Sequence, residues 1–388
     1  MGHADQAVLL IDRPSQVIDT VFEMLNEAEL PAFRVVTRFS LGEALVALEE
    51  RAYSVVIFRP GAEGVLAAVK DIACRHRCKP LVVLLDEDDS SLLFGALRSG
   101  ASDLFPVASL HSQSEEFVEL VSSALRQAQL LEDNQRYREE LEQRLAELKD
   151  DQQAALKVQQ NMLPPEQQVL AGMTVDYTLL PSLYLSGDFV DAIALDKHRV
   201  VFYLADVSGH GASSALVTVL LKNMTGRLLR NFRRGSSYDI LSPLQFLKRI
   251  NKELLEAALG KHLSIFAGII DLDENRLTYA IGGQHPMPLL QSGEQIDFLK
   301  GRGMPVGLFE EPVFDERSIE LPESFQLTLF SDGVLEVLPD HGMEAKEASL
   351  MSLVHRLQGG SAHDLQRALI SGGVSMAPDD IAIMTISR

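Results

Sequence analysis

Through the first hundred residues, short runs rich in leucine and β-branched residues alternate with stretches whose apolar positions recur at helical spacing. The runs are "AVLLID" (7–12), "FRVVTRF" (33–39), "SVVIF" (54–58), "PLVVLLD" (80–86) and "DLFPV" (103–107). "LGEALVALEER" (41–51) is typical of what separates them. Near-continuous apolar strands alternating with helices predict a parallel sheet covered on both faces. Five such units build a flavodoxin-like doubly wound domain, whose functional crevice lies at the carboxyl ends of the strands.

The pattern then changes. Residues Ser114 to Met162 contain neither Gly nor Pro. A 4-3 repeat through this stretch places Leu120, Ala124, Leu131, Leu141, Leu145, Leu148, Ala155 and Met162 on one seam. Gln127, Asn134, Arg138, Gln152 and Gln159 interrupt it. Apolar seam positions flanked by charge, as in "REELEQRLAELKDD", predict a coiled-coil helix over 114–162 and a parallel homodimer through it. After "QQNMLPPE" the runs lengthen and hairpin turns appear, as in "SIFAGIIDLDENRLTYAIGG", where two strands flank an Asp-Glu-Asn turn.

At 388 residues the chain has room for two or three domains with separate cores. No run of 18 apolar residues and no basic-then-apolar leader is present, so a cytoplasmic protein with no membrane partner is expected. A formal charge of -20 argues against nucleic acid and anionic lipid, both of which need a basic footprint. The two cysteines, Cys74 and Cys78 in "CRHRC", lack the second ligand pair of a zinc site and are read as unpaired thiols.

Chemistry concentrates in the second half. Asp188 in "SGDFVD", Asp206 in "ADVSGHG", Asp332 in "FSDGV" and Asp379 in "PDDIAIM" each adjoin an apolar run. A lone acid at a strand end is usually a turn or cap residue, but four in such settings suit a hard cation that wants oxygen ligands on rigid elements.

Two resemblances sharpen these readings. "LLIDRP", "GALRSGASDLF" and the strand order make residues 1–125 resemble a response-regulator receiver domain. Receivers accept a phosphoryl group on an Asp ending the third strand, beside Mg²⁺ held by acids after the first. Carried over, the acidic pair becomes Asp12 and Arg13, and the acceptor becomes Arg59. The Thr/Ser position is Leu85 and the Lys position is Val107. A guanidinium offers no acyl-phosphate nucleophile and repels Mg²⁺, so a receiver that cannot be phosphorylated is expected. Glu63, the nearest other acid, lies beyond Pro60-Gly61.

"QQNMLPP", "SGDFVD", "DVSGHG", "LTYAIGGQHPMPLL", "FSDGVLEV" and "DDIAIMTI" occur in the order found in the SpoIIE-like metal-dependent serine/threonine protein phosphatases, which residues 151–388 resemble, with the phosphatase domain itself expected at 163–388. The arrangement behind a receiver and a helix is similar to the RssB-type regulators of the stress sigma factor. The resemblance implies an αββα sandwich with two Mn²⁺ or Mg²⁺ ions that activate a water for attack on phosphorus. Asp206 would bridge the ions, Asp188 and the backbone carbonyl of Val207 would serve one, and Asp332 and Asp379 the other. His210 is a candidate general acid, or else a loop histidine with local hydrogen bonds. Gly187, Gly209 and Gly211 would let the backbone approach metal and phosphate, and Asp191 has no assigned role. The implied substrate is a phosphorylated anti-sigma-factor antagonist of STAS type, with the stress sigma factor a further possible partner. The alternative is a non-catalytic adaptor, which would not need the four carboxylates.

Overall fold

The computed structural model describes residues 6–28, 33–61, 64–76, 79–86, 90–209, 211–370 and 378–388. Two compact units, 1–146 and 147–388, divide the chain.

In the N-terminal unit the expected alternation is present: β1 (Gln6–Ile11), α1 (Gln16–Glu27), β2 (Phe33–Arg38), α2 (Leu41–Glu50), β3 (Val55–Phe58), α3 (Val65–Arg75), β4 (Leu81–Leu85), α4 (Ser90–Arg98), β5 (Asp103–Pro106) and α5 (Ser114–Met162). The strands pair in parallel in the order β2-β1-β3-β4-β5. Successive side chains point to opposite faces of a strand, and both faces are covered. Leu9, Ile11, Val56, Phe58 and Val83 pack toward α2 and α3. Val8, Leu10, Ile57 and Leu84 pack toward α1 and the start of α5. This two-sided burial explains why the strands read as continuous apolar runs.

Helix α5 extends over all 49 residues predicted for it, but the seam does not run its length. Leu120 and Ala124 pack in the N-terminal core, and Ala128 is fully buried there. Glu132 pairs with Lys79. At the other end Gln159 is buried and Met162 packs against the core of the C-terminal unit. Only the middle leaves its leucines exposed: Leu131, Leu141, Leu145 and Leu148 are 43–58% accessible.

The C-terminal unit continues with β6 (Gln167–Leu170), β7 (Met173–Leu180), β8 (Asp188–Ala194), β9 (Arg199–Val207), α6 (Ala212–Arg233), α7 (Pro243–Ala257), β10 (Leu263–Asp271) and β11 (Arg276–Gly282). Then come β12 (Leu289–Ser292), β13 (Gln295–Phe298), β14 (Glu316–Glu320), β15 (Gln326–Phe330), α8 (Gly333–Val337), α9 (Met343–Arg356), α10 (Ala362–Ile370) and β16 (Ile381–Ser387). Among the described residues the strands form two antiparallel sheets, β14-β11-β10-β9-β8 and β13-β12-β15-β16-β7-β6. On β9, Val200, Phe202 and Leu204 face the layer between the sheets, where they meet Leu327, Ala382 and Met384. Val201, Tyr203 and Ala205 face outward onto α6 and α7. Ile381 and Ile383 of β16 face the helices on the other side, α8 to α10. The result is the predicted αββα sandwich. Gly268, the cross-strand partner of Phe202, leaves room for that ring, because a Cβ there would lie 2.6 Å from it.

Candidate functional site

Four predicted carboxylates come together at one end of the sandwich. Asp188 opens β8 and is the direct cross-strand partner of Asp206 near the end of β9. Asp332 sits at the N-cap of α8. Asp379 precedes β16, its Oδ1 accepting the Asp380 amide at 2.8 Å. Asp206 and Asp332 are close enough for each to shift the other's titration.

The electrostatics follow from this crowding. Burial, then the charges of Asp206, Asp380 and Asp332, push Asp188 well above the usual carboxylate range. Burial, followed by Asp332 and Asp379, pushes Asp206 up to about 7. Asp332 rises through burial and the charge of Asp379. Like charges held together out of water favour the protonated form unless a cation neutralises them. Both Asp188 carboxylate oxygens are buried with no hydrogen-bond partner. The nearby Ser331 hydroxyl eases its charge but is directed to the Asp380 carbonyl oxygen at 3.4 Å.

A buried, unpartnered carboxylate among three others has the donor chemistry of a hard divalent-cation site. Among the described residues, no group of three or more His, Cys, Asp or Glu side chains is arranged to hold a metal ion as it stands. The carboxylates fit such an ion in type and charge, as an open cluster rather than a closed cage.

Backbone geometry fixes the loops around them. The amide of Gly187 donates to Asp380 Oδ2 at 2.6 Å, and a Cβ on Gly187 would lie 2.8 Å from the Val207 carbonyl oxygen. A side chain is thus excluded where Val207 presents its carbonyl. Gly209 and Gly211 take positive φ of 75° and 83°, which L-residues adopt at a cost. His210 lies outside the described residues.

Two participants were not apparent from sequence. Asp380, buried beside Asp379, also accepts the Ser182 amide at 2.7 Å and its hydroxyl at 2.9 Å, so it fastens the approach to Asp188. The doublet "DD" was its only trace. Gln159, placed above on the coiled-coil seam, bonds to Ser186 and Thr218 instead. Asp191 also acquires a role: it is buried and receives Lys222 Nζ at 2.9 Å on each oxygen, tying β8 to α6.

In the N-terminal crevice Arg59 replaces the acceptor and is held from two sides. Its guanidinium reaches Asp86 Oδ1 at 2.8 Å and Asp12 Oδ2 at 3.3 Å, and Asp86 leads the interactions that raise its pKa. Leu85 is a correction: its side chain is buried in the core, and the residue presented to the crevice after β4 is Asp86. Arg13 is exposed, its guanidinium 3.1 Å from the position of a Cβ on Gly61. Val107 opens a short 3₁₀ turn after β5. Glu63 lies outside the described residues, as does Cys78. Cys74 is a free, exposed thiol, and α3 ends at Arg75, before the second cysteine. His76 between them is buried and bonded through Nε2 to the Pro80 carbonyl at 3.1 Å.

An αββα sandwich with an acid cluster where its strands end defines a phosphatase-type fold. Residues 196–388, within the C-terminal unit, match the family model of stage II sporulation protein E (SpoIIE). The chain is 31% identical over 229 residues to phosphoserine phosphatase RsbP of Bacillus subtilis (strain 168), a match covering 54% of each chain, so it spans about half of that relative. It is 24% identical over 245 residues to the Regulator of RpoS of Escherichia coli (strain K12), covering 62% of this chain and 70% of that one. The solved SiaA-PP2C domain of Pseudomonas aeruginosa shares the fold, with a TM-score of 0.52 at 18% identity over 63% of this chain and 98% of that one. Among the described residues no helix is long and apolar enough to cross a membrane.

Proposed function

We propose that the chain is a metal-dependent protein phosphatase for phosphoserine or phosphothreonine. The carrying observation is the convergence of Asp188, Asp206, Asp332 and Asp379, with Asp188 buried and unpartnered. Asp206 would serve two ions, Asp188 and the Val207 carbonyl one of them, and Asp332 and Asp379 the other. Bound Mn²⁺ or Mg²⁺ supplies Lewis acidity and a nucleophile from water at neutral pH. The chain's own contribution is placement. The β8–β9 pairing sets Asp188 against Asp206, Asp380 holds the Gly187 amide, and Gly187 leaves room for the Val207 carbonyl. His210 is the proposed proton donor to the departing hydroxyl.

Likeness to a protein named phosphoserine phosphatase supports the activity. With the likeness to the Regulator of RpoS, it supports a place in stress sigma factor control, the substrate being a phosphorylated STAS-type antagonist. Arg59 fixed between Asp12 and Asp86 supports an N-terminal unit that regulates without being phosphorylated. Exposed Leu141, Leu145 and Leu148 support pairing of two chains through the middle of α5. The test is phosphate release from a phosphorylated STAS-type protein by the purified chain with Mn²⁺. Release abolished by chelation and by Asp332→Asn is expected. Tight binding of that protein without release favours the adaptor instead.

A further inference from the structure

A phosphorylated side chain brings a dianion to a site whose clustered side chains are carboxylates. Lys261, just before β10, lies over the loop that leads from Asp206 to α6. Its Nζ donates to the Ser208 carbonyl oxygen at 2.8 Å and to Ser214 Oγ at 3.2 Å, and it is 3.1 Å from where a Cβ on Gly209 would stand. Among the described residues no carboxylate forms an ion pair with it. The ammonium is half-buried and held by neutral oxygens alone.

The loop does not need this lysine for its shape. Ser208 is already fastened to the same segment by its amide to the His262 carbonyl at 2.9 Å and by the His262 amide to Ser208 Oγ at 3.2 Å. Ser214 Oγ separately donates to the Ser208 carbonyl at 3.2 Å. Antiparallel pairing continues directly from Leu263 opposite Val207 and Ser264 opposite Asp206. A flexible, compact cation whose neutral contacts duplicate existing ties can exchange them for a stronger charge-assisted bond.

We propose that Lys261 is the phosphoryl-binding cation of this site. Its ammonium leaves the Ser208 carbonyl and Ser214 hydroxyl for a non-bridging oxygen of the substrate's phosphate. The proposal rests on the phosphatase reading and assigns the substrate's anionic group to a residue outside the carboxylate cluster.

The test titrates inorganic phosphate into the full chain saturated with Mn²⁺, using wild type, Lys261→Gln and Lys261→Arg. Loss of one charged hydrogen bond should weaken phosphate binding by about ten- to a hundredfold in Lys261→Gln, and Lys261→Arg should recover most of it. Mn²⁺ affinity, titrated separately, and the melting temperature should stay at wild-type values. The proposal is overturned if Lys261→Gln binds phosphate as wild type does. It also fails if Mn²⁺ and phosphate affinity fall together, the signature of a loop fastener, or if wild type binds no phosphate. Turnover of a phosphoserine peptide separates the two readings. Lys261-dependent phosphate binding without turnover would refute the phosphatase and leave the anion site. Turnover with Lys261-independent binding would do the reverse.

Discussion

Gln159 holds Ser186 from both sides: its Nε2 donates to the Ser186 carbonyl oxygen at 2.7 Å, and its Oε1 accepts the Ser186 amide at 3.3 Å. The same Nε2 reaches Thr218 Oγ1 on α6 at 3.2 Å. The last turn of α5 is therefore joined to the backbone two residues before Asp188. Gln159→Leu leaves both backbone groups of Ser186 buried and unpaired, at a cost of about 1–3 kcal/mol. Calorimetry should show the C-terminal unit destabilised by that amount. Phosphate release should fall although none of the four clustered carboxylates has changed.

Chelation should expose the repulsion in the carboxylate cluster. Asp206 is raised to about 7 in the folded chain, above the ordinary Asp value near 3.9. Its protonation stabilises the metal-free fold at low pH. That contribution is lost as pH rises through about 7, with a ceiling of about 4 kcal/mol. With chelator present, the melting temperature should drop between pH 5 and pH 8, and Mn²⁺ should restore it. Asp206→Asn should flatten the drop, melt higher than wild type at pH 8 without metal, and lose turnover.

The N-terminal crevice should be inert to phosphoryl donors. Acetyl phosphate should leave no hydroxylamine-sensitive phosphate on residues 1–125 by mass spectrometry, because Arg59 stands where a carboxylate is needed. Arg59→Ala removes the cation facing Asp12, which is 6% exposed. Destabilisation of about 1–3 kcal/mol is expected from the uncompensated buried charge, read from denaturant unfolding of the N-terminal unit.

His76 supplies an acid-sensitive element in the same unit. Burial first, and then the Lys79 charge, lower it to about 4 against the favourable Pro80 carbonyl contact. The imidazole is neutral when folded and protonates more readily when unfolded. Stability is therefore intact above pH 6.5 and declines as pH falls toward 4, by at most about 3 kcal/mol. His76→Gln should reduce that slope in urea midpoints measured at pH 4.5 and 7.

The legible parts of this fold were those written in short-range periodicity. The strands of the N-terminal sheet are buried on both faces and so appear as unbroken apolar runs, accurate to about a residue at their ends. The four acids were legible because each adjoins such a run. What escaped was partnership across sequence distance. Gln159 fits a 4-3 repeat as well as any polar interruption, and nothing within α5 indicates that Ser186 and Thr218 will enclose it. Leu120 and Ala124 lie on the seam by spacing, but the N-terminal sheet claims them first. The Leu85 assignment missed by one residue because strand alternation turns Leu85 into the core and gives the crevice to Asp86.

Helix α5 also marks where this chain can be divided. Its residues through Ala128 and Glu132 complete one folding unit, and Gln159 and Met162 complete the other. A fragment beginning at Pro164 would discard the amide that secures Ser186, and one ending at Ser114 would open the N-terminal core. A cut that spares both cores falls in the exposed middle of the helix. The long helix is thus a splice zone whose two margins are already owned by the domains it separates.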